Sequence, residues 1–156
     1  MMHAEWHRAE PRPFVARAYG GVVIDDRRRV LLREPTNHFG GYCWTFAKGG
    51  ADEGESPSDA ALREVREETG WACEAIAEID GWFVGTTSDT KFFLMAPLED
   101  HGDFHHETTS VRWASFEEAA ELIAQTTVGG GRERDLAVLA AAAAMLSHPS
   151  GRVGAR

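Results

Sequence analysis

The chain has 156 residues, 43% of them hydrophobic and 26% charged, which predicts a single globular domain over residues 1–156. Its net charge of -9 argues against a general binder of nucleic acid polymers or of anionic membrane surfaces. The alanine-rich run 136–146 is too short to span a bilayer, so we expect no association with a membrane.

The cysteine pattern and the start of the chain predict a cytoplasmic protein. Cys43 and Cys73 do not form a pair with metal-ligand spacing, which favours free thiols in a reducing compartment. The first residues lack the apolar core of a signal peptide.

The N-terminal part of the sequence predicts an arm followed by β-strands. Residues 1–13 are polar with two prolines and are expected to form a flexible arm. The elements predicted next are a hairpin of strands 14–24 and 29–33 with a turn at 25–27, a loop at 34–41 and a short strand at 44–47.

A helix with signals at both ends is predicted at residues 57–69. Ser56 suits the N-cap, Pro57 the first helical position, and Asp59 lies three residues after the cap, as in a capping box. Gly70 suits the left-handed residue that follows a helix. The stripe expected to face the core consists of Ser58, Leu62, Val65 and Thr69.

The same helix carries three glutamates on another face. Glu64, Glu67 and Glu68 stand at i, i+3 and i+4, where like charges repel by roughly 0.2–0.5 kcal/mol per pair. Carboxylate oxygens grouped in this way suit a hard divalent cation. A solvated acidic flank is the alternative interpretation of such a charge run, and the whole surrounding motif argues against it.

The rest of the sequence predicts further strands and two helices. They are strands at 73–80, 81–86, 91–96 and 111–114, a helix from 116 to about 125, and a last helix at 132–146. Residues 147–156 are expected to form a frayed tail.

A polar segment at residues 100–110 contains three histidines. His101, His105 and His106 raise the hypothesis of a zinc site. Because no second cluster of ligands accompanies them, an ordinary exposed loop is favoured.

The segment from Gly49 to Trp71 resembles the box motif of the Nudix hydrolases. The matching residues, without a gap, are Gly49, Glu55, Arg63, Glu64, Val65, Glu67, Glu68 and Gly70. Trp71 is the single departure, since the family usually has an aliphatic residue there. A looser resemblance extends over residues 16–140. It implies an α/β (α+β) fold, namely an α/β/α sandwich with a mixed sheet between the box helix and the C-terminal helix.

The resemblance also implies a reaction and a cofactor. Nudix hydrolases cleave a nucleoside diphosphate linked to another moiety, using Mg²⁺ or Mn²⁺ and water attack on a phosphorus. By analogy Glu64, Glu67 and Glu68 would hold the cations. Glu64 would be either a ligand or the base that takes the proton of the water, and family members differ in which residue is the base.

Other residues near the box acquire roles by the same analogy. The backbone carbonyl of Lys48 would supply a further metal ligand, and Arg63 would pair with Glu55 to fix the loop to the helix. The lead-in 44–49 resembles the Trp-x-x-Pro-Lys-Gly of enzymes that cleave dinucleoside polyphosphates, with Ala47 in place of the proline.

Candidate residues outside the box complete the predicted site. Glu107 resembles a loop glutamate that reaches the metals or the water in the same group of enzymes, and an exposed loop glutamate is the equal alternative. The candidates for contacts to substrate are the cations Lys48, Arg33 and Lys91 for phosphate, and the aromatic residues Trp82 and Phe83 for a base.

The sequence limits the classes of possible substrate but does not identify one substrate. Residues 72–96 contain neither the proline often found in enzymes that cleave ADP-ribose nor the tyrosine typical of diadenosine-polyphosphate enzymes. We favour a small nucleotide substrate, either a dinucleoside polyphosphate or a nucleoside triphosphate, with ADP-ribose or a nucleotide sugar as the alternative. A catalytically silent ligand-binding domain is a further alternative, although all the box carboxylates are present. The resemblance allows a homodimer.

Overall fold

The computed structural model describes residues 6–147. The strands are β1 His7–Arg8, β2 Ala16–Val23, β3 Val30–Pro35, β4 Ala47–Gly49, β5 Trp71–Glu78, β6 Trp82–Val84, β7 Ser88–Asp100 and β8 Thr108–Ala114. The helices are α1 Pro57–Thr69, α2 Phe116–Ile123 and α3 Gly129–Ser147, and a short 3-10 segment spans Thr36–Gly41.

The main sheet is mixed. Its strand order is β1-β6-β7-β2-β4, and β5 also pairs with the long strand β7. β2 and β7 run parallel, whereas the other pairs in the sheet are antiparallel. β3 and β8 form a separate antiparallel ribbon, which a bridge between Arg33 and Thr45 joins to the approach to β4.

Helices cover both faces of the sheet. The cluster under α1 includes Val23, Ala61, Val65, Phe93 and Met95. The cluster on the opposite face includes Val22, Phe92, Leu94, Ile123, Val138 and Ala142, so α2 and α3 pack there. Alternate residues of β2 and β7 therefore belong to opposite cores, as the period of a strand requires. The predicted sandwich with a mixed sheet between helices is confirmed.

Helix α1 begins and ends at the predicted residues. The Ser56 hydroxyl accepts a hydrogen bond from the amide of Asp59 at 3.2 Å, and Gly70 follows the helix with φ of 84°. The predicted core stripe is wrong in part, because Ser58 and Leu62 are only half-buried. The buried positions are Ala60, Ala61, Val65, Glu68 and Thr69. Glu68 lies on the same side of the helix as Ala61 and Val65, so its side chain points inward.

The predicted hairpin of residues 14–24 and 29–33 is wrong. The turn exists, because the Asp25 carboxylate accepts hydrogen bonds from the amides of Arg27 and Arg29 at 3.0 and 2.8 Å. Only the bridge between Ile24 and Val30 joins the two strands. Beyond it β2 pairs with β4 and β7, and β3 pairs with β8.

The segment predicted to be a flexible arm makes defined contacts in the part that the structure describes. His7 and Arg8 pair with β6, and the Arg12 side chain donates hydrogen bonds to both oxygens of Asp89. Residues 1–5 of the arm lie outside the described range, as do residues 148–156 of the predicted tail. Ser147, the first residue of that tail, is the last residue of α3.

Other elements differ from their predictions mainly at their ends. The strand predicted at 44–47 lies at Ala47–Gly49, and the last helix begins at Gly129 rather than at residue 132. Within residues 6–147, no helix is both long enough and apolar enough to cross a membrane.

Candidate active site

The edge strand β4 brings the start of the box against α1. In the register of β4 with β2, Lys48 pairs with Gly20 and Gly49 pairs with Tyr19, so positions 48 and 49 face opposite sides of the sheet. A Cβ added at Gly49 would collide with the carboxylate of Glu64. Glycine therefore allows the edge of the sheet to lie directly against this carboxylate.

Arg63 links the box loop to α1. Its Nε and Nη2 donate to the two carboxylate oxygens of Glu55, each at 2.9 Å, and Nη2 also donates to the carbonyl of Gly50 at 3.0 Å. Hydrogen bonds from Arg63 and from the amide of Asp52 lower the pKa of Glu55 to about 2. Glu55 is thus a carboxylate at neutral pH, and the pair holds the loop 50–55 against the helix.

Two of the three box glutamates contact the same guanidinium. Arg63 Nη1 lies 3.1 Å from Glu64 Oε2 and 3.3 Å from Glu67 Oε1. The arginine therefore offsets the repulsion between these carboxylates. With Arg63 between them the carboxylates do not form a ready cage, and across residues 6–147 no group of three His, Cys, Asp or Glu side chains is arranged to hold a metal ion.

The third glutamate, Glu68, is buried. Its side chain lies near two donors: the amide of Lys48 donates to Oε1 at 3.3 Å, and Arg33 Nε lies 3.5 Å from the same oxygen. Burial raises the pKa of Glu68 to about 8; the charge of Arg33 opposes this rise and the neighbouring carboxyl of Glu64 adds to it. At neutral pH and without a cation, Glu68 therefore keeps a proton.

Glu68 opens into a cavity of about 620 Å³, referred to below as the cavity. Arg33, Lys48 and Glu107 line it beside Glu68, and Tyr42, Phe46 and Arg134 line it further along. The pKa of Lys48 is lowered by burial and by the nearby charge of Arg134. Arg33 and Lys48 thus add positive charge to a space in which one of the acids is protonated, while Asp135 balances the charge of Arg134. Such a space favours an anionic ligand.

Glu107 lies in the wall of the cavity and is exposed. Its backbone carbonyl accepts hydrogen bonds from the amide of Thr36 at 2.9 Å and from Arg33 Nη2 at 2.8 Å. These bonds fix the backbone of the loop, while the carboxylate of Glu107 makes no hydrogen bond to any residue between 6 and 147. Both Glu107 and Glu68 therefore face the same space.

Three of the residues predicted to contact the substrate do not line the cavity. Lys91 is buried, where its Nζ lies 3.3 Å from the carbonyl of Ile79 and 3.2 Å from the carboxylate of Glu78. Trp82 covers Lys91 outside the cavity. Phe83 is only 1% exposed and packs in the core, so its predicted role in stacking a base is wrong. The aromatic side chains that line the cavity are instead Phe39, Tyr42 and Phe46.

A charged pair at the start of α3 was not predicted from the sequence. Arg134 and Asp135 are 2% and 0% exposed, and Arg134 Nε donates to Asp135 Oδ1 at 3.0 Å. The other oxygen of Asp135 accepts the hydroxyl of Thr45 at 2.6 Å. The signal was present in the sequence, because residues 134 and 135 continue the buried stripe of Val138 and Leu139 at helical spacing.

The three histidines of the polar segment lie on the surface. His101, His105 and His106 are all exposed, and the backbone amide of His105 donates to the carbonyl of Glu67 at 2.8 Å. This is the exposed loop that the sequence favours. Its backbone bond to Glu67 places the loop at the end of α1, beside the box glutamates.

The sequence profile of the NUDIX domain matches residues 15–142. An RNA pyrophosphohydrolase of Bartonella bacilliformis is 39% identical over 71 residues, which cover 40% of this chain and 42% of that protein. The asymmetrical bis(5'-nucleosyl)-tetraphosphatase of Mus musculus is 32% identical over 88 residues, which cover 51% of this chain and 60% of that protein. The chain thus spans less than two thirds of the length of either relative.

A solved structure has the same fold. A NUDIX hydrolase from Nitrosomonas europaea superposes with a TM-score of 0.66 at 20% identity, covering 81% of this chain and 89% of that one. At this identity the likeness concerns the fold alone.

Proposed function

Because the chain belongs to the Nudix hydrolase family, we propose that it is a metal-dependent pyrophosphohydrolase of nucleoside polyphosphates. Water attacks one phosphorus of the polyphosphate, the bond from that phosphorus to a bridging oxygen breaks, and the bridging oxygen leaves with the remaining phosphate group. The observation that carries the proposal is Glu68, a buried acid of the box that shares the cavity with Arg33 and Lys48.

The proposed cofactor is Mg²⁺ or Mn²⁺, held by Glu64, Glu67 and Glu68 with Glu107 and the backbone carbonyl of Lys48. The side chains present fit such an ion, because hard cations take carboxylate and carbonyl oxygens and because Glu68 keeps a proton that a cation would replace. When bound, the cation would neutralise charge on the phosphate oxygens and acidify a water.

The protein's own side chains have distinct proposed tasks. Arg33 and Lys48 bind the phosphates, since both line the cavity beside Glu68. The ion pair of Arg63 with Glu55 fixes the position of the loop 50–55 relative to α1. The proton of the attacking water passes to a carboxylate, with Glu64, Glu67 and Glu107 as the candidate bases.

We propose a dinucleoside polyphosphate or a nucleoside triphosphate as the substrate. The name of the mouse relative supports the first choice. Several bacterial relatives are named RNA pyrophosphohydrolase, which raises RNA as a second candidate substrate. The net charge of -9 favours the small nucleotides over a polymer. Free Cys43 and Cys73 support a reducing, cytoplasmic location.

The test is product analysis with a substrate panel. Dinucleoside tetraphosphates, nucleoside triphosphates, 5'-triphosphate RNA, ADP-ribose and a nucleotide sugar are each incubated with and without Mg²⁺, and the products are separated by chromatography. We expect metal-dependent cleavage of a nucleoside polyphosphate, and a loss of roughly 100-fold or more in Glu67→Gln. Glu117→Gln, on α2, is the matched control and should retain activity.

Two outcomes would contradict the proposal. Binding of nucleotides without any turnover would indicate a ligand-binding domain. Cleavage confined to ADP-ribose or a nucleotide sugar would reject the proposed substrate class while keeping the reaction.

A further inference from the structure

We propose that Arg134 recognises the nucleobase of the substrate, and that the cavity accepts guanine in preference to adenine. This inference rests on the proposed function, since it specifies the nucleotide that the same cavity would take.

The guanidinium of Arg134 is buried but not saturated with hydrogen bonds. Its Nε donates to Asp135 at 3.0 Å and its Nη2 to the hydroxyl of Tyr42 at 3.3 Å. Nη1 has no hydrogen-bond partner among residues 6–147, although the side chain is only 2% exposed and lines the cavity. Because Nη1 is not among the fully shielded atoms, it keeps some accessible surface and can donate to an acceptor on a ligand that enters the cavity.

The surrounding residues hold the guanidinium in place. The ring of Tyr42 lies 5.6 Å from the guanidinium carbon. A Cβ added at Gly85 would lie 2.7 Å from Nη1, so glycine leaves the space that the guanidinium needs. A Cβ at Gly131 would collide with the Tyr42 hydroxyl. The donor is therefore preorganised by its neighbours.

Charge distinguishes Arg134 from Arg33, another cation of the cavity. Arg134 is neutralised by Asp135, whose second oxygen is occupied by Thr45, so the buried pair carries no net charge. Arg33, by contrast, lies beside Glu68, where the proposed reaction needs phosphate oxygens bound. A neutral pair offers directed donors to an uncharged ligand, whereas Arg33 offers charge to an anion.

The cavity around Arg134 suits a flat heterocycle. Tyr42, Phe46 and Phe39 line it, and aromatic faces stack with bases. Guanine presents two neighbouring acceptors, N7 and O6, to which arginine commonly binds, whereas adenine presents an acceptor next to an amino donor. Because a guanidinium can only donate hydrogen bonds, it can bond to N7 and O6 of guanine, whereas the amino group of adenine offers it a second donor instead of an acceptor.

The first test compares nucleotides on the unaltered protein. Isothermal titration calorimetry with GMP, IMP, AMP, CMP and 7-deaza-GMP is carried out without divalent metal, so that binding is measured apart from turnover. We expect GMP and IMP, which share N7 and O6, to bind about tenfold or more tightly than AMP. The deaza analogue should lose much of this advantage. Equal binding of GMP and AMP, or tighter binding of CMP, would overturn the proposal.

The second test alters the buried pair. Arg134→Gln alone leaves Asp135 unpaired, so the double substitution Arg134→Gln/Asp135→Asn and the single substitution Arg134→Lys are used, with thermal melting to verify folding. Arg132→Gln, from the same helix and outside the cavity, is the control. We expect both variants to lose the preference for GMP over AMP, and the control to keep it.

The outcomes separate this inference from the proposed function. A preference for GMP that survives both variants overturns the role of Arg134. An equal loss of affinity for all nucleotides and for inorganic pyrophosphate would show that Arg134 binds phosphate and would also overturn it. If the variants do not fold, the nucleotide series on the unaltered protein decides. Because these measurements need no catalysis, they stand whether or not any substrate in the panel is cleaved.

Discussion

Glu68 occupies a position on α1 where helical spacing from Ala61 and Val65 turns a carboxylate toward the core. The cost of burying its charge is what raises its pKa to about 8, against an ordinary value of 4.5. The proposed cation would replace the proton of this carboxyl and leave it charged. This property comes from the packing of α1 and not from the spacing of the glutamates.

We predict that the metal-free protein loses stability as the pH rises from about 4.5 to about 8 because of Glu68. In this window the folded state keeps a proton that the unfolded chain releases, so the free energy of unfolding falls with pH. The contribution of this one group is on the order of 2–4 kcal/mol. Urea unfolding in EDTA at pH 5, 6.5 and 8 measures it.

The comparison variant for this measurement is Glu68→Gln, which removes the titrating group. Its free energy of unfolding should change less with pH than that of the unaltered protein, and the difference between the two curves isolates Glu68. Parallel curves for the two proteins would contradict the prediction.

At the scale of elements, an ion pair to a buried carboxylate fixes the N-terminal segment in addition to the pairing of β1 with β6. Arg12 Nη2 and its backbone amide lie 2.6 and 2.7 Å from the two oxygens of Asp89, whose side chain is fully covered. Burial alone would raise the pKa of Asp89, but the hydrogen bonds from Arg12 outweigh it and lower the pKa. The pair thus connects the segment before β2 to the start of β7.

We predict that Arg12→Met destabilises the protein by about 3 kcal/mol at pH 7, because it leaves the charge of Asp89 buried with one fewer partner. The difference in the free energy of unfolding between this variant and the unaltered protein should shrink as the pH falls through the lowered pKa of Asp89. The reason is that the pair stabilises the fold only when Asp89 is ionised. Arg27→Met is the control, because Arg27 is an exposed arginine in the turn before β3 and is not among the groups that shift the pKa of Asp89. Equal unfolding midpoints for the two variants would contradict the role of the pair.

How much the sequence predicts depends on whether the signal is local. The ends of α1 were predictable because Ser56 and Gly70 act on the backbone next to them. The hairpin was not, because the partners of β2 and β3 lie far along the chain and outcompete the local pairing. The box glutamates could be named from spacing, and the stripe of α3 indicates that Arg134 is buried, whereas its place in the cavity depends on how α3 packs on the sheet.

At the scale of the whole molecule, the proposed cation should act as a stabilising ligand. A ligand that binds only the folded state stabilises that state, and the proposed cation would replace the proton on Glu68 and bind the neighbouring carboxylates. We predict that Mg²⁺ or Mn²⁺ at 100 times its dissociation constant stabilises the protein by about 2.7 kcal/mol, which raises Tm by roughly 5–10 °C. Differential scanning calorimetry at constant ionic strength measures the shift.

Two double substitutions test whether the increase in Tm with metal depends on the glutamates of the box. Glu67→Gln/Glu68→Gln should abolish it, whereas Glu117→Gln/Glu118→Gln, an adjacent pair on α2, should retain it. An unchanged Tm of the unaltered protein with and without metal would count against the site.

The parallel pairing of β2 with β7 also determines when the protein can fold during synthesis. Ala16 pairs with Ser88 and Val23 with Met95, so each contact closes a loop of about seventy residues, the kind of non-local contact that slows folding. More than half of the chain must leave the ribosome before β2 can acquire this neighbour. Until then Val22 and Val23 lack their cover, so the nascent chain has to stay soluble with an unfinished sheet, and a fragment that stops before β7 cannot complete either core.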